Sequence, residues 1–249
     1  MSARNAAPAS DLTLRAVPAI KEIDAAAWNA CANPTVSAVQ AVQPNSEECS
    51  MSGESASEIP SNPFISYEFL SSLEDSSSAV ARTGWQPQHL LAEATDGTIA
   101  GVVPCYLKSH SRGEYVFDRG WAEAYERAGG SYYPKLQVSV PFTPATGRRL
   151  LVRPSPDAER IREGLTAGLI ELCRMHHASS VHLTFLPESE STLLAEHKFL
   201  HRTDQQFHWE NGGYPTFDAF LEALSARKRK TIRRERRDAL APGLTIEHV

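Results

Sequence analysis

The sequence predicts an α+β protein in which helices flank a mixed β-sheet. Candidate strands cluster between residues 89 and 154, and a long amphipathic helix at 157–177 then leads to a further buried strand at 180–187. A group of strands followed by a helix that crosses to another strand is typical of an α+β domain with a mixed sheet.

The first elements surround a segment of different composition. Alternating residues at 12–17 predict a strand, and the pattern at 19–32 predicts an amphipathic helix. Residues 33–61 are rich in Ser, Pro and Glu and have few large apolar groups, so we expect a disordered insertion. Order resumes at Asn62, which can cap a helix whose first turn holds Pro63.

A β-hairpin is the clearest local signal in the middle of the chain. Asp96-Gly97 separates strands predicted at 89–95 and 98–108, and this dipeptide favours a tight hairpin turn. The other elements follow from periodicity. They are strands at 113–118, 135–142, 148–154 and 201–210, helices at 121–129, 190–199 and 216–225, Asp157 as the cap of the long helix, and a final strand at 243–249.

Composition excludes several classes of protein. The 249 residues contain no apolar run long enough to span a bilayer, and the N-terminus lacks the apolar core of a secretory signal. Four widely spaced Cys residues without a CxxC pair favour free thiols in a reducing compartment. We therefore expect a cytoplasmic protein with no membrane span. Targeting to an organelle is the alternative, because the N-terminus is rich in Ala and Ser and carries an Arg.

A basic tract contrasts with an acidic body. Residues 225–249 carry eight basic and three acidic side chains, whereas the first 224 residues carry 17 basic and 27 acidic ones. An acidic body repels an extended polyanion, so DNA binding is not expected, but an anion can still bind locally. The eight basic residues are Arg227, Lys228, Arg229, Lys230, Arg233, Arg234, Arg236 and Arg237.

Helical geometry gives this tract a cationic face. Successive residues advance by about 100°, so all the basic residues except Lys228 fall on about half of the circumference. Leu224, Ile232 and Ala239 lie where they can contact a core. Like charges on one face repel each other unless an anion binds there; a solvated helix whose long side chains cover apolar surface is the alternative. The predicted anion-binding residues are Arg229, Lys230, Arg233, Arg234, Arg236 and Arg237.

Three stretches together resemble a known family. They are the block from Cys105 to Leu151, the stretch NPFISYEFLSSLEDS with TGWQPQHL, and the stretch from Phe207 to Arg237. Together they resemble the FemAB-like family, called peptidoglycan biosynthesis/recognition proteins and predicted N-acyltransferases. The resemblance covers residues 62 to about 249 and does not include the insertion.

The resemblance implies an acyltransferase fold of the GNAT type, with two such domains in a complete protein. Residues 1–32 and 62–210 are then the first domain, and residues 211–249 open a second one that this chain does not complete. Fem-type relatives use aminoacyl-tRNA, and acyl-CoA is an equally plausible donor, so a tRNA contact and a small or phosphorylated substrate are expected partners. No covalently bound cofactor is expected. The sequence lacks the Arg/Gln-x-x-Gly-x-Gly/Ala loop of ordinary GNAT enzymes.

Acyl transfer to an amine needs a base that takes a proton from the amine and hydrogen-bond donors that stabilise the oxyanion. It also needs cationic side chains that bind the phosphates of the acyl donor. Glu114 and Asp118 are separated by four on a predicted strand, which places both on one face, with Tyr115 and Phe117 directed toward a core. One of the two carboxylates is the predicted base, and His110 is a further catalytic candidate. The predicted substrate-binding residues are Lys108, Trp121, Tyr125, Tyr132, Tyr133 and Lys135.

Structural alternatives stay open for these residues. Lys108 and His110 can form a polar turn, Trp121 and Tyr125 can pack together at helical spacing, and the two tyrosines before Pro134 can form a turn. No spacing matches a metal site or a covalent nucleophile. The function predicted first is therefore an N-acyl or aminoacyl transferase, and the alternatives are a non-catalytic anion- or RNA-binding module and an inactive fragment.

Overall fold

The computed structural model describes residues 12–34, 61–241 and 243, which divide into two compact units. The first unit ends at Arg202 and the second begins at Thr203. The predicted insertion and the predicted final strand lie almost wholly outside the described residues. The predicted domain boundaries at residues 32, 61 and 210 remain predictions.

Two four-stranded sheets form the first unit within these residues. Their strands are β1 (Leu12–Val17), β2 (Trp85–Pro87), β3 (His89–Ala94), β4 (Ile99–Val103), β5 (Cys105–Lys108), β6 (Lys135–Val138), β7 (Leu151–Val152) and β8 (Val181–Leu183). The first sheet has the order β1-β3-β4-β7 and is antiparallel; the second has the order β2-β5-β6-β8, with β6 and β8 parallel. The predicted α+β class with a mixed sheet and flanking helices is confirmed, but the strands are shared between two sheets.

Seven helices accompany the strands in the described part of the chain. Five belong to the first unit: α1 (Ala25–Ala32), α2 (Tyr67–Asp75), α3 (Arg119–Arg127), α4 (Ala158–Met175) and α5 (Glu188–Glu196). Two belong to the second unit: α6 (Phe217–Ala223) and α7 (Ala226–Leu240). None of these helices combines the length and the apolar character that crossing a bilayer requires.

One long hairpin joins the two sheets. Leu90 pairs with Val103 in the first sheet and Pro87 pairs with Tyr106 in the second, so the register continues unbroken from one sheet to the other. The predicted turn at Asp96-Gly97 is confirmed, with Gly97 at φ +81°, a conformation that costs glycine little. Strands β2 and β3 therefore form one arm of a single hairpin, and β4 and β5 form the other.

The two faces of this hairpin differ. One face is apolar in both sheets, where Leu90, Cys105 and Leu136 belong to a single core that includes residues of α4. The opposite face is apolar only in the first sheet, where Leu91 packs in a second core with Trp28 of α1. The same face becomes polar in the second sheet, and this change positions the candidate site.

His89 lies at the point where that face changes from apolar to polar. Its Nδ1 accepts the backbone N–H of Cys105 at 3.3 Å, so Nε2 carries the proton and donates to Glu74 Oε1 at 2.8 Å. The second oxygen of Glu74 accepts the N–H of Ile20 at 3.0 Å. Both ring nitrogens of this buried histidine are thus occupied by structural bonds.

One local prediction is wrong, and a second is confirmed only in position. Residues 201–210 form no strand and are exposed, because no described strand pairs with them and an isolated strand leaves its backbone groups unpaired. Asp157 does precede α4, but its side chain makes no capping hydrogen bond and instead lies 3.6 Å from Arg160. The predicted long helix itself is confirmed, since residues at helical spacing such as Leu165 and Leu169 are buried in the core.

Adjacent residues of α4 test this packing. Leu169 is fully buried, whereas Ile170 is 44 % exposed on the same helix. Leu169→Ala leaves a cavity and is expected to lower the free energy of unfolding by about 2–5 kcal/mol. Ile170→Ala is the matched control and is expected to cost less than about 1 kcal/mol. Urea denaturation measures both values, and equal losses would contradict the assigned helix face.

Candidate functional site

The polar face of the second sheet is built by alternation along paired strands. Trp85 lies opposite Lys108, and Lys108 lies opposite Lys135. Tyr106, two residues before Lys108, lies opposite Gln137. Directly paired residues share a face of a sheet, so these five side chains project from the same surface. All five are fully buried.

Residues 109–134 lead from β5 to β6 and bring two carboxylates to this face. The Lys135 ammonium donates to Glu114 Oε2 at 2.8 Å and to Asp118 Oδ2 at 2.6 Å. Lys108 Nζ lies 3.8 Å from Glu114 Oε1 and donates to the carbonyl of Arg112 at 3.3 Å. We call Lys108, Glu114, Asp118 and Lys135 the buried charge cluster. Its two positive and two negative groups balance, as buried ions require.

The predicted strand at 113–118 is wrong, and so is the inward direction of its aromatic residues. Gly113 at φ +81° and Tyr115 at φ +57° turn the chain in the left-handed region. Glu114 is consequently buried, while Tyr115 and Phe117 are 54 % and 84 % exposed. The ammonium groups on the sheet require buried counter-charges, and this requirement outweighs the burial of two aromatic rings.

The two carboxylates are electrostatically different. Burial raises the pKa of Glu114 above its ordinary value, although the charge and hydrogen bond of Lys135 act against it. Burial acts the same way on Asp118, but the hydrogen bonds and charge that it receives, chiefly from Lys135, lower its pKa below the ordinary value. Asp118 is therefore a stable anion at neutral pH, and Glu114 is the stronger base.

Lys108 is held under an aromatic ring. Its Nζ lies 3.4 Å from the Trp85 ring centroid. Burial lowers the pKa of Lys108 to about 7; Glu114 opposes the shift, and the positive charges of Lys135 and Arg112 add to it. An amine that titrates near neutral pH can exchange a proton during a reaction, which an ordinary lysine cannot do.

A shell of hydroxyl groups holds Asp118. Its Oδ2 accepts from Ser111 Oγ and from the Tyr132 hydroxyl, each at 2.9 Å. Since the Ser111 proton is directed at Asp118, the Tyr133 hydroxyl donates to Ser111 Oγ at 2.8 Å. Of the predicted substrate-binding residues, Tyr132 thus contacts the charge cluster directly, and Tyr133 contacts it through Ser111.

His110 occupies a different position from the two carboxylates. Its Nδ1 accepts the backbone N–H of Arg112 at 3.2 Å. Burial lowers its pKa, and the nearby charges of Lys108 and Arg112 lower it further. His110 is therefore neutral at pH 7, and its ring lies against the backbone of Gly84.

Unpartnered polar atoms concentrate at this face. Among the described residues, nine buried side-chain nitrogen or oxygen atoms have no hydrogen-bond partner within the protein. Five of them belong to this face, and they are Trp85 Nε1, Tyr106 OH, Glu114 Oε1, Gln137 Oε1 and Ser139 Oγ. Leaving such a group unpaired costs about 1–3 kcal/mol, so their accumulation sets this face apart from the rest of the described residues.

Sequence reasoning missed several residues here. Gln137 and Ser139 follow Lys135 at alternate positions, and Gln137 donates to Thr184 Oγ1 at 3.0 Å. His182 lies beside Gln137 in the parallel register; burial lowers its pKa to about 4, and the charge of Lys135 adds to the shift. The alternation of polar residues in KLQVSV was the available signal.

Trp121 and Tyr125 lie outside the buried charge cluster. They are 65 % and 48 % exposed and are four residues apart on α3. The structure therefore places the nine predicted catalytic and substrate-binding residues in two settings. Lys108, Glu114, Asp118, Tyr132, Tyr133 and Lys135 come together, whereas Trp121, Tyr125 and His110 do not join their hydrogen-bond network.

The basic tract forms α7 in the second unit. None of its residues is buried, and Ala239, expected to contact a core, is exposed, so that part of the prediction is wrong. Arg236 lies 4.2 Å from the Phe217 ring centroid, and Arg233 lies 3.9 Å from Asp218. The predicted anion-binding residues are mostly exposed, with Arg229 partly covered.

Comparisons with known proteins give two findings. The FemAB-like family, described as peptidoglycan biosynthesis/recognition, matches residues 19–249. A crystal structure of an acetyltransferase from Trypanosoma brucei matches with a TM-score of 0.38 and 14 % identity, over 81 % of this chain and 100 % of that one. At this TM-score the likeness bears on neither fold nor reaction. No curated protein matches the sequence significantly.

The depressed pKa of Lys108 predicts a pH dependence of stability. Its folded-state pKa of about 7 lies below the unfolded value of about 10.4. The unfolded chain therefore binds more protons between these values, and the Lys108 contribution to the free energy of unfolding rises with pH across that window. Urea denaturation at pH 7 and at pH 9.5 measures the free energy of unfolding. Its rise between these two pH values should be smaller in Lys108→Met than in the wild type. Identical changes in the two proteins would contradict the shift.

Proposed function

Because the chain belongs to the FemAB-like family of peptidoglycan biosynthesis and recognition, we propose that it transfers an acyl or aminoacyl group to an amine. The reaction takes place at the polar face of the second sheet. The observation that carries this proposal is Glu114, whose pKa is raised by burial and whose Oε1 has no hydrogen-bond partner among the described residues. A carboxylate of this kind can accept a proton from an acceptor amine.

The proposed step is balanced within this site. Glu114 Oε1 takes one proton from the acceptor amine, the amine nitrogen bonds to the donor carbonyl carbon, and the bond from that carbon to the leaving oxygen or sulfur breaks. The proton held by Glu114 passes to the leaving group. Lys108 donates one hydrogen bond within the described part of the chain, to the Arg112 carbonyl, and has further N–H groups for the oxyanion. Asp118 and Lys135 position Glu114.

Access to Glu114 is a requirement of this mechanism. Glu114 is only 3 % exposed, so an acceptor reaches it when residues 109–134 move away from the sheet. Gly113 and Tyr115 are the positions with left-handed backbone conformation at which that segment turns. Rotation of the backbone dihedral angles at such positions can move a segment as a unit.

For the donor, we propose that the exposed cationic face of α7 binds phosphate groups. Acyl-CoA and aminoacyl-tRNA both carry phosphates next to an activated acyl group, and both are candidates. Arg side chains bind phosphate oxygens through paired N–H groups.

A glutamine substitution tests the proposed base. Glu114→Gln keeps the shape of the side chain but cannot accept the proton, so transfer is expected to fall by about 10²–10⁴-fold. Glu163→Gln, at an exposed position of α4, is the matched control and should keep wild-type activity. Transfer is measured from labelled acyl-CoA and aminoacyl-tRNA to an amine-bearing peptidoglycan precursor. Full activity of Glu114→Gln would remove Glu114 from the chemistry.

The exposed charge of α7 also favours a second candidate, a non-catalytic module that binds RNA or another polyanion. In either case, replacing Arg229, Arg233 and Arg236 with Glu should abolish anion binding and leave the thermal melting of the first unit unchanged. Replacing Arg119, Arg127 and Arg174 with Glu is the control triple. Steeply salt-dependent RNA binding without transfer from either donor would favour the module. Unchanged binding in the α7 triple would exclude this helix from both roles.

A further inference from the structure

A continuous line of hydrogen bonds connects the surface of the first unit with Glu114. The Tyr133 hydroxyl lies 2.8 Å from Ser111 Oγ, and Ser111 Oγ lies 2.9 Å from Asp118 Oδ2. Lys135 Nζ lies 2.6 Å from the same Asp118 oxygen and 2.8 Å from Glu114 Oε2. Every distance is short enough for a hydrogen bond, so a proton can pass along this line from one group to the next.

The two ends of the line differ in their access to water. Tyr133 and Ser111 are partly exposed, whereas Asp118, Lys135 and Glu114 are 2 %, 0 % and 3 % exposed. The two hydroxyl groups can therefore exchange protons with water, and the three inner groups cannot do so directly. Since a hydroxyl group both donates and accepts, the outer end can pass protons in either direction.

Other titratable groups that act on the two carboxylates do not continue the line to water. They are Lys108, Tyr132 and His182. Lys108 Nζ is 3.8 Å from Glu114 Oε1, beyond hydrogen-bonding distance, and His182 Nε2 lies 2.8 Å from Ser180 Oγ. Within the described part of the chain, the Tyr132 hydroxyl bonds to Asp118 alone. The route through Ser111 is therefore the one that leads outward.

We propose that Tyr133, Ser111, Asp118 and Lys135 form a proton relay between water and Glu114. The relay rests on the proposed function, because Glu114 is the base that it serves. An acceptor amine that arrives as an ammonium ion loses two protons when its nitrogen is acylated. The leaving group takes one of them, so the other has to reach water before Glu114 can act again.

Each step of the relay moves one proton. When Glu114 holds a proton, rotation of its carboxyl group brings that proton to Lys135, which takes it and gives one of its own to Asp118. Neutral Asp118 is a hydrogen-bond donor, so it passes a proton to Ser111. The Ser111 proton then moves to Tyr133, and the Tyr133 proton moves to water. Glu114 and Asp118 end as anions, and Lys135 keeps its charge.

Proton arrival at Glu114 can be measured without any substrate. A caged acid in a solution of the full chain at pH 8 releases protons on illumination. Time-resolved infrared spectroscopy then follows the carbonyl band of a protonated carboxyl group, and the Glu114 band is the one missing from Glu114→Gln. Ser111→Ala should slow the rise of this band at least about tenfold, and added imidazole, a mobile proton carrier, should restore part of the rate.

Tyr132→Phe is the matched control, because it removes a different hydroxyl group at the same 2.9 Å from Asp118 and leaves the line intact. It should keep the wild-type rate. Equal rates in the wild type and in Ser111→Ala, or equal slowing in Tyr132→Phe, would overturn the relay. A wild type that shows no Glu114 band after acidification would overturn it as well.

An arginine at position 135 separates proton transfer from charge pairing. Arginine stays positive between Glu114 and Asp118 but does not release a proton in a protein. Lys135→Arg is therefore expected to unfold at a higher urea concentration than Lys135→Met, and to slow proton arrival as much as Ser111→Ala does. Arrival at the wild-type rate in Lys135→Arg would overturn the relay, because Lys135 is the link between the two carboxylates.

The relay and the transfer reaction fail in different ways. Slowed proton arrival in Ser111→Ala, in a chain that transfers no acyl group, would uphold the relay and overturn the proposed function. Acyl transfer that depends on Glu114, together with unchanged proton arrival in Ser111→Ala, would overturn the relay and uphold the proposed function.

Discussion

The interaction on which the site depends is the Lys135 ammonium between Glu114 and Asp118. Lys135 comes from a rigid strand, whereas both carboxylates come from a segment with little regular structure. Two short charge-assisted bonds fix that segment against the sheet, because an ammonium buried on the polar face cannot remain without counter-charges. The exposure of Tyr115, Phe117 and Trp121 follows from this constraint, since the segment directs its carboxylates inward.

The hairpin explains why a charged cluster can exist inside a small domain. Its apolar face continues through both sheets and packs with α4 in one hydrophobic core. The opposite face therefore need not be apolar along its whole length. His89 separates the two regions, with both of its ring nitrogens in structural bonds. The polar region beyond it carries Lys108 and Lys135 on paired strands, which is a stability cost that a functional site commonly explains.

Elements with strong periodicity could be predicted from the sequence, and contacts set by tertiary charge pairing could not. The Asp96-Gly97 turn and the buried stripe of α4 follow from local rules. The positions of Glu114 and Asp118 do not, because alternation predicted a strand there and Lys135, distant in sequence, decided the outcome. The unusual density of ionisable and aromatic residues did point to the block 108–135, and the buried charge cluster is drawn from it. It did not indicate Gln137 or Ser139, although both alternate with Lys135.

The free energy of unfolding of Lys135→Met tests this account most directly. Removing the ammonium leaves two buried carboxylates with one remaining cation in the cluster, Lys108, which lies 3.8 Å from Glu114. Asp118 then keeps only its hydrogen bonds from Ser111 and Tyr132. A loss of about 3–5 kcal/mol is expected from urea denaturation, compared with less than about 0.5 kcal/mol for Lys21→Met at an exposed position. If Lys135→Met unfolds at the same urea concentration as Lys21→Met, the buried charge cluster does not hold residues 109–134 in place.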